Sequence, residues 1–236
     1  MKPQTDKPLA LLIPGLDGTG KLYYRQIDPL ASKYRVLPWQ FRRRDSFCIS
    51  DLVQELAQAT QDEKARSILM VGESFGGIIA LQLALDYPQR FSRLVLINAF
   101  PFYRRRIRIG LACRLARLLN KPFVQTLKDI VVERTLTAEG ILPEERRHYN
   151  QVIKLVYHPA YCRRLQLVRE VDLRSRLVEI GVPTLLFASG RDKVVPSMTE
   201  ARFMVSQIPC AKLYEFPYAG HALLLTPGFC LADYCD

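Results

Sequence analysis

The chain has 236 residues and a net charge of +11, with 49% apolar and 24% charged residues. That composition is typical of a globular domain with one large core and room for an inserted subdomain. No stretch approaches the roughly 20 apolar residues needed to cross a bilayer. Pro14-Gly15 interrupts the apolar run from Leu9 before it reaches the length of a signal peptide. We therefore expect a cytoplasmic protein rather than an integral membrane or secreted one.

Strands and helices are predicted to alternate along the chain. Short apolar runs predict strands, and longer periodic runs predict helices between them. The predicted strands are Leu9–Ile13, Tyr34–Leu37, Ile68–Val71, Arg93–Ile97, Pro183–Ala188 and Lys212–Phe216. The predicted helices are Ile49–Lys64 with Ser50 as N-cap, Phe75 to about Tyr87, one from near Pro196, and a short one after His221 that reaches Leu231. This alternation predicts an α/β fold, a mostly parallel sheet with helices on both faces.

A long segment interrupts the alternation. Residues 101–180 lack strand-like patterning and are rich in leucine and arginine, so we predict a basic helical cap inserted into a core of residues 1–100 and 181–236. Between Phe100 and Gly181 the chain carries 17 Lys and Arg against 8 Asp and Glu, whereas the rest carries 17 against 15. The positive charge therefore belongs mainly to the predicted cap, whose first helix we expect from Arg104 to Leu119.

The cysteines are scattered, without a C-x-x-C pair or a nearby pair of histidines. A structural zinc site needs clustered ligands, so we expect no metal, and we expect no cofactor. Free thiols are the expectation in a reducing compartment, with a Cys230–Cys235 disulfide as the alternative. The six are Cys48, Cys113, Cys162, Cys210, Cys230 and Cys235.

The sequence G-E-S-F-G at residues 72–76 stands between a predicted strand and a predicted helix. A serine on a sharp turn in that context is typical of a nucleophile elbow. Glycine at both flanks permits the unusual backbone angles and close approach that such a turn needs. We therefore predict that Ser74 is a catalytic nucleophile.

A serine nucleophile needs a base, and the base needs an acid that orients it. His221 follows the last predicted strand on a loop behind Gly220. Asp192 lies at the carboxyl end of the preceding strand, where open α/β sheets place their chemistry. The order serine, acid, histidine is the one expected for a nucleophile elbow on such a sheet. We predict His221 as the base and Asp192 as the acid, and we expect His148 and His158 at the surface.

The glycine-rich loop at residues 14–20 follows the first strand. Its backbone can approach a substrate closely, so we predict an oxyanion hole made by the N–H groups of Leu16 and of Phe75, the residue after the nucleophile. A phosphate-binding loop is the alternative, but the spacing of the glycines matches neither common nucleotide-binding fingerprint.

Four segments together resemble the α/β-hydrolase superfamily. They are P-G-L-D-G-T-G at residues 14–20, G-E-S-F-G-G at 72–77, S-G-R-D-K-V-V-P at 189–196 and A-G-H-A-L-L-L at 219–225. The first two look like its esterase, lipase and thioesterase branch, which includes plastid and cyanobacterial phytyl-ester-synthase-like proteins. The similarity covers the chain apart from the predicted cap. It implies acyl hydrolysis or acyl transfer through a serine-linked acyl intermediate. We expect hydrolysis, since the sequence has no counterpart of the acyltransferase domain of phytyl-ester synthases.

These features predict a serine hydrolase that cleaves a carboxylic ester or thioester of a hydrophobic acyl group, which the cap residues Leu111, Leu115 and Phe123 would favour. A C–C hydrolase or lyase on the same three residues is one alternative. A non-catalytic basic module that binds lipid or protein is another.

The arginine runs at residues 42–44 and 104–106, together with the basic cap, raise the question of a partner. Peripheral docking on an acidic lipid surface, recognition of an acidic acyl carrier and a simple solvated face are all compatible with this charge. We expect no nucleic-acid partner, because aromatic–basic interleaving and a binding module are missing. The sequence leaves the oligomeric state open.

Overall fold

The computed structural model describes residues 7–63, 67–104, 109 and 141–235. The strands in this part are β1 (Leu9–Ile13), β2 (Arg35–Pro38), β3 (Ile68–Glu73), β4 (Phe91–Ile97), β5 (Thr184–Ser189) and β6 (Ala211–Phe216). They form one sheet in the order β2-β1-β3-β4-β5-β6, in which every neighbouring pair is parallel. The predicted α/β fold is confirmed, and each predicted strand is present with ends shifted by at most two residues.

Six α-helices connect or flank the strands in the described part of the chain. They are α1 (Tyr24–Ala31), α2 (Ile49–Ala59), α3 (Phe75–Asp86), α4 (Pro143–Lys154), α5 (His158–Glu170) and α6 (Ser197–Gln207). Helix α1 is not predicted from the sequence, because Pro29 lies inside it and disguises the helical pattern.

The ends of α2 differ from the prediction. Cys48, not Ser50, is the residue before the helix, and its backbone N–H donates to Asp51 Oδ2 at 2.7 Å. The helix ends at Ala59, where the Thr60 hydroxyl donates back to the Leu56 carbonyl at 2.9 Å. The Ala57 carbonyl, which a further α-helical turn would use, accepts instead from Arg90 Nη1 at 2.6 Å, and the Gln61 N–H donates to Gln58, so the predicted extension to Lys64 is wrong.

Alternate residues of the central strands point to opposite faces of the sheet, and each face has its own apolar cluster. On one face the strands pack against α2, α3 and α6. On the other face they pack against α1 and two short 3-10 turns, Leu223–Leu225 and Leu231–Tyr234. Helices therefore cover both faces, as predicted, although the helix on the second face is the unpredicted α1.

The segment after His221 forms these 3-10 turns in place of the predicted short helix. Pro227 and Gly228, the latter with φ of +76°, separate the two turns and stop a helix from continuing. The side chain of buried Gln26 on α1 holds the segment through three hydrogen bonds. Its Nε2 donates to the carbonyls of Leu224 (3.1 Å) and Phe229 (3.3 Å), and its Oε1 accepts from the Leu231 N–H (2.8 Å).

The described part of the predicted cap contains α4, α5 and a 3-10 turn at Arg174–Glu179. An isolated bridge between Phe102 and Asp172 joins its beginning to the end of α5. The predicted first helix lies almost wholly outside the described residues, as do Leu111, Leu115 and Phe123. The division into core and cap therefore stays a prediction.

Several of the described arginines form local ion pairs. Arg42 and Arg44 both approach Glu55, at 3.5 and 3.0 Å, and Arg174 and Arg176 pair with acidic residues close in sequence. Such pairs reduce the positive charge offered to a partner, and docking on an acidic lipid or acyl carrier stays a prediction. None of the helices in the described part is long and apolar enough to cross a membrane.

Candidate active site

The carboxyl ends of the parallel strands meet at one edge of the sheet and bring the predicted site residues together. Ser74 directly follows β3, Asp192 lies three residues after β5, and His221 lies five residues after β6. All three side chains are buried and lie within hydrogen-bond distance of one another in series. The sheet topology thus closes a sequence separation of 147 residues between Ser74 and His221.

Ser74 has the backbone geometry of a sharp strand-to-helix turn. Its φ of 52° and ψ of −115° are rarely adopted by a residue with a side chain, at a cost on the order of 1–3 kcal/mol. Its N–H donates to the Ile97 carbonyl at 2.9 Å, and its carbonyl accepts from the Gly77 N–H at 3.0 Å. A Cβ on Gly76 would lie 2.3 Å from the carbonyl oxygen of Ile13, so only glycine fits there. The local context predicted for an elbow is therefore present.

His221 lies between the serine and the acid. Its Nε2 is 3.0 Å from Ser74 Oγ, and its Nδ1 is 2.7 Å from Asp192 Oδ2. Because an ionised carboxylate can only accept, we assign the proton to Nδ1, which leaves Nε2 to accept from the Ser74 hydroxyl. The other oxygen of Asp192 accepts the N–H groups of Val194 and Val195 at 2.8 and 2.9 Å, which fixes the carboxylate. This arrangement can take a proton from Ser74 and stabilise the resulting imidazolium.

The electrostatic surroundings favour the protonated form of His221. Burial lowers the pKa of the imidazole, but the carboxylates of Asp192 and Glu73 raise it by more, so the pKa lies above the ordinary value of 6.5. A base with this pKa accepts a proton readily as a serine hydroxyl attacks.

Asn98 is a site residue that the sequence analysis misses. It follows β4 with φ of 47° and is fully enclosed. Its amide Nδ2 donates to the carbonyl of His221 at 2.7 Å and to that of Gly220 at 3.4 Å. Its Oδ1 accepts from the Ser189 N–H at 3.0 Å and the Ser197 hydroxyl at 2.7 Å. Asn98 therefore ties the histidine loop to the end of β5. A lone polar residue directly after the apolar run Leu94–Ile97 is the sequence feature that marks it.

The glycine loop lies against the elbow. A Cβ on Gly15 would come 3.5 Å from Ser74 Cβ, which places the loop beside the nucleophile. A turn from Gly15 to Gly18 shapes the loop, and Asp17 Oδ2 accepts the Thr19 N–H at 2.8 Å. Within the described residues, the N–H groups of Leu16 and Phe75 form no hydrogen bond. Both are therefore available as donors, as an oxyanion hole requires.

Glu73 is a second residue that the sequence analysis misses. Its buried side chain lies against Gly15, where an added Cβ would be 2.7 Å from Oε2. Burial raises its pKa to about 7, helped by Asp17 and Asp192 and opposed by His221 and the Gly15 N–H. A charged residue between a buried strand and the nucleophile is the sequence feature that marks it.

The other histidines occupy structural positions. The His148 ring packs against Tyr24 with centroids 4.0 Å apart and its Nε2 is buried, so the residue is half-buried rather than fully at the predicted surface. His158 begins α5 half-buried, with its ring 3.8 Å from Cys162 Sγ. Five of the cysteines, all except Cys113, lie in the described part and are reduced thiols without a disulfide, as predicted. No group of three or more potential metal ligands occurs among the described residues.

Comparison with known proteins places this geometry in context. A model of the family described as serine aminopeptidase, S33, matches residues 42–227. This range includes Ser74, Asp192 and His221 but begins after the glycine loop.

Curated relatives match almost the whole chain. A "Putative carbamate hydrolase RutD" of Serratia proteamaculans is 29% identical over 241 residues, covering 94% of this chain and 88% of its own length. A protein of the same name from Yersinia enterocolitica is 28% identical over 233 residues, covering 92% and 81%.

Solved structures show the same fold. A hydrolase from Pseudomonas aeruginosa PA01 has a TM-score of 0.81 at 22% identity, over 92% of this chain and 84% of that one. An esterase from Exiguobacterium antarcticum has a TM-score of 0.80 at 18% identity, over 94% and 87%. At such identities the similarity shows the fold alone, and the chemistry must be argued from the residues.

Proposed function

The chain belongs to the family described as serine aminopeptidase, S33, within the α/β-hydrolases, and from that premise we propose that it cleaves a carboxylic ester or thioester of a hydrophobic acyl group. The observation that carries the proposal is the series of short contacts from Ser74 Oγ to His221 Nε2 (3.0 Å) and from His221 Nδ1 to Asp192 Oδ2 (2.7 Å). Binding alone would need none of these three groups.

In the proposed first half-reaction, Ser74 Oγ attacks the carbonyl carbon while its proton passes to His221 Nε2. Asp192 keeps the ring oriented and stabilises the imidazolium. The carbonyl oxygen gains a negative charge, and the N–H groups of Leu16 and Phe75 stabilise this oxyanion by donating hydrogen bonds to it. Collapse of this intermediate breaks the bond to the leaving group, which takes the proton from His221 and departs as alcohol or thiol.

Water completes the cycle. His221 removes a proton from a water molecule that attacks the acyl carbon on Ser74, and the same two N–H groups stabilise the second oxyanion. The bond to Ser74 Oγ then breaks, the proton returns from His221 to the serine, and the carboxylic acid leaves. The enzyme is regenerated without a cofactor.

An apolar cluster beside the histidine loop supports a hydrophobic acyl group. Ala222 directly follows His221 and packs with Leu225, while α4 contributes Tyr149 and Val152 to the same cluster. We propose that the acyl chain lies along this cluster, because burial of each CH₂ contributes about 0.8 kcal/mol of binding.

Carbamate hydrolysis is a second candidate, which the names of the curated relatives favour. A carbamate carries nitrogen on the carbonyl carbon, and the same serine attack and oxyanion stabilisation apply to it. The two candidates differ in the group beside the carbonyl, so a substrate panel separates them.

The test is a comparison of wild type with Ser74→Ala. Both are reacted with a fluorophosphonate probe, and their kcat/KM is measured on short- and long-chain p-nitrophenyl esters, a long-chain thioester and a p-nitrophenyl carbamate. We expect the probe to label wild type alone and the long-chain ester or thioester to be preferred. Ser74→Ala should lose at least about 10⁴-fold in kcat/KM.

Ser206→Ala is the matched control, since Ser206 is exposed on α6. It should behave as wild type. Equal labelling of wild type and Ser74→Ala would contradict the nucleophile assignment. A labelled wild type that turns over only the carbamate would select the second candidate. One that is labelled but turns over none of the panel would point to the C–C hydrolase or lyase alternative.

A further inference from the structure

Arg164 on α5 is a buried arginine that the proposed mechanism does not use. Its residue exposure is 2%. Its Nε donates to the Leu16 carbonyl at 2.9 Å and its Nη2 to the Asp17 carbonyl at 3.2 Å. The guanidinium lies 5.8 Å from the centroid of the Phe41 ring. A side chain from the inserted segment thus bonds to the glycine loop, 148 residues away in the sequence.

The position of this arginine is energetically expensive. Burial lowers its pKa to about 10, against opposing effects of Asp17 and Tyr161, so the group stays charged at neutral pH. Within the described residues no carboxylate lies within ion-pair distance of it. An apolar side chain of similar size often serves stability as well as or better than a buried charge. The role of Arg164 therefore lies in its two hydrogen bonds to carbonyls and in the loop that these bonds hold in place.

Those bonds complete a clamp on the peptide that carries the Leu16 N–H. On the N-terminal side, Gly15 rests against the Glu73 carboxylate, where an added Cβ would be 2.7 Å from Oε2. On the C-terminal side, the carbonyls of Leu16 and Asp17 are bonded to Arg164. A Cβ on Gly18 would lie 2.7 Å from Arg164 Cζ, so the loop rests directly on the guanidinium. Leu16 is held between these two anchors.

We propose that Arg164 is a positioning residue that holds the Leu16 N–H where the oxyanion forms. Catalysis in the sheet then depends on helix α5 of the inserted segment. The inference rests on the proposed function, because an oxyanion hole has a role only if Ser74 attacks a carbonyl. An oxyanion donor is effective only when it is fixed before the reaction, and loss of one donor costs about 10²–10³-fold in rate.

The test compares Arg164→Met and Arg164→Lys with Arg163→Met. Arg163 is the matched control, because it is the neighbouring arginine on α5 and donates to a different carbonyl, that of Phe47, at 2.7 Å. For each variant we would measure the rate constant of fluorophosphonate labelling, kcat and KM on the preferred ester, and the melting temperature. The affinities for an alkyl boronic acid, which mimics the tetrahedral intermediate, and for the product carboxylic acid complete the set.

For Arg164→Met we expect kcat, the labelling rate and the boronic acid affinity each to fall about 10²-fold, with KM and product affinity changed less than about threefold. Arg164→Lys should fall about tenfold, because one ammonium can still donate to one carbonyl. Arg163→Met should match wild type in kcat, KM, the labelling rate and both affinities.

A folded Arg164→Met protein with wild-type kcat, labelling rate and boronic acid affinity would overturn the inference, even if its melting temperature fell. If Arg164→Met does not fold, Arg164→Lys decides, and wild-type values for it would overturn the inference in the same way. Failure of the proposed function looks different, since wild type itself would then escape the probe.

Discussion

The two walls of the candidate site are held in place by different parts of the chain. On the elbow wall, Ser74, Asp192 and His221 stand on strand ends and are tied together by Asn98, a residue of the core sheet. On the loop wall, Glu73 lies against Gly15, and Arg164 on α5 donates to the carbonyls of Leu16 and Asp17. In the proposed mechanism the first wall carries the reacting groups, and the second fixes the environment of the transition state. Changes in the elbow wall should therefore abolish activity, whereas changes in the loop wall should lower it by degrees.

The largest effect is expected at the acid of the elbow wall. Asp192→Asn can still accept the Val194 and Val195 N–H groups through its oxygen, so the turn should survive. Its NH₂ would then face His221 Nδ1 and favour the tautomer with the proton on Nε2, which cannot accept from Ser74. We expect kcat to fall about 10⁴-fold with little change in melting temperature.

Lys193→Ala is the control for this change, because Lys193 is the exposed neighbour in the same turn. It should keep full activity. A loss below about tenfold in Asp192→Asn would mean that Asp192 does not orient the base, and it would remove the distinction between the two walls.

A substitution of Asn98 tests whether the elbow wall depends on the side chain that joins the histidine loop to β5. Asn98→Asp keeps the left-handed backbone and the acceptor, but it loses the donor to the carbonyls of His221 and Gly220. The buried Gly220 carbonyl then lacks a partner, whereas the His221 carbonyl keeps the Leu223 N–H at 3.0 Å, so we expect a cost of about 2 kcal/mol in the free energy of unfolding. Because the histidine loop is released, kcat should also fall about tenfold.

Urea denaturation and ester kinetics measure the two effects of Asn98→Asp. Asn150→Asp on α4 is the control, since it makes the same chemical change at a less buried position. Equal stability losses in both variants would show that Asn98 is no more than an ordinary polar residue.

Glu73 lies between the two walls, and its contribution to the free energy of unfolding should depend on pH. The folded protein holds the pKa of this carboxyl at about 7, raised by burial from 4.5, so the folded state binds the proton more tightly than the unfolded state. The stabilising contribution of the protonated Glu73 carboxyl is full below pH 4.5 and is lost as the pH rises through 7. Glu73→Gln removes this loss, and its stability relative to wild type should therefore improve by about 3 kcal/mol between pH 4 and pH 8.5.

The same variant should move the activity profile. The Glu73 carboxylate raises the pKa of His221, so its removal lowers that pKa and shifts the acidic limb of kcat/KM to lower pH. Glu55→Gln is the control, because Glu55 lies on α2 and pairs with Arg42 and Arg44 instead of with residues of the site. A pH-independent difference in stability between wild type and Glu73→Gln would contradict the buried, protonated carboxyl.

The elbow wall could be predicted from the sequence because its evidence is local. Ser74 stands in a short pattern between a strand and a helix, and Asp192 and His221 each follow a recognisable strand. The parallel sheet then brings them together by its topology. Helices α1 and α2 show where local patterns fail, since Pro29 disguises one helix and Arg90 takes a carbonyl that the other would need to continue.

The connections that hold the site could not be predicted in the same way. Asn98 bonds to residues 91 to 123 positions away, and Arg164 bonds to a loop 147 to 148 positions away. No periodicity or spacing encodes such pairs. A single polar residue after an apolar strand, or one arginine in a basic helix, looks the same whether it is solvated or buried.

The smallest effect is expected where the loop wall contacts Arg164. A comparison of two glycines separates the effect of this contact from that of backbone strain. Gly18 and Gly228 have φ of +71° and +76°, so alanine is strained at both, by about 1–2 kcal/mol. A Cβ on Gly228 meets nothing within 4 Å, whereas one on Gly18 meets the guanidinium of Arg164 at 2.7 Å. Gly228→Ala should therefore lose stability alone, and Gly18→Ala should also lose about tenfold in kcat, because Leu16 is displaced.

A double-mutant cycle shows whether this loss passes through Arg164. If it does, Gly18→Ala should lower kcat little further in the Arg164→Met background, because the anchor is already gone. Fully additive losses would mean that the two residues act independently, and the loop wall would then owe its position to the turn itself. Equal kcat values for Gly18→Ala and Gly228→Ala would lead to the same conclusion without the cycle. The tenfold difference between these two matched alanines is thus the most direct measure of how far helix α5 controls the chemistry at the edge of the sheet.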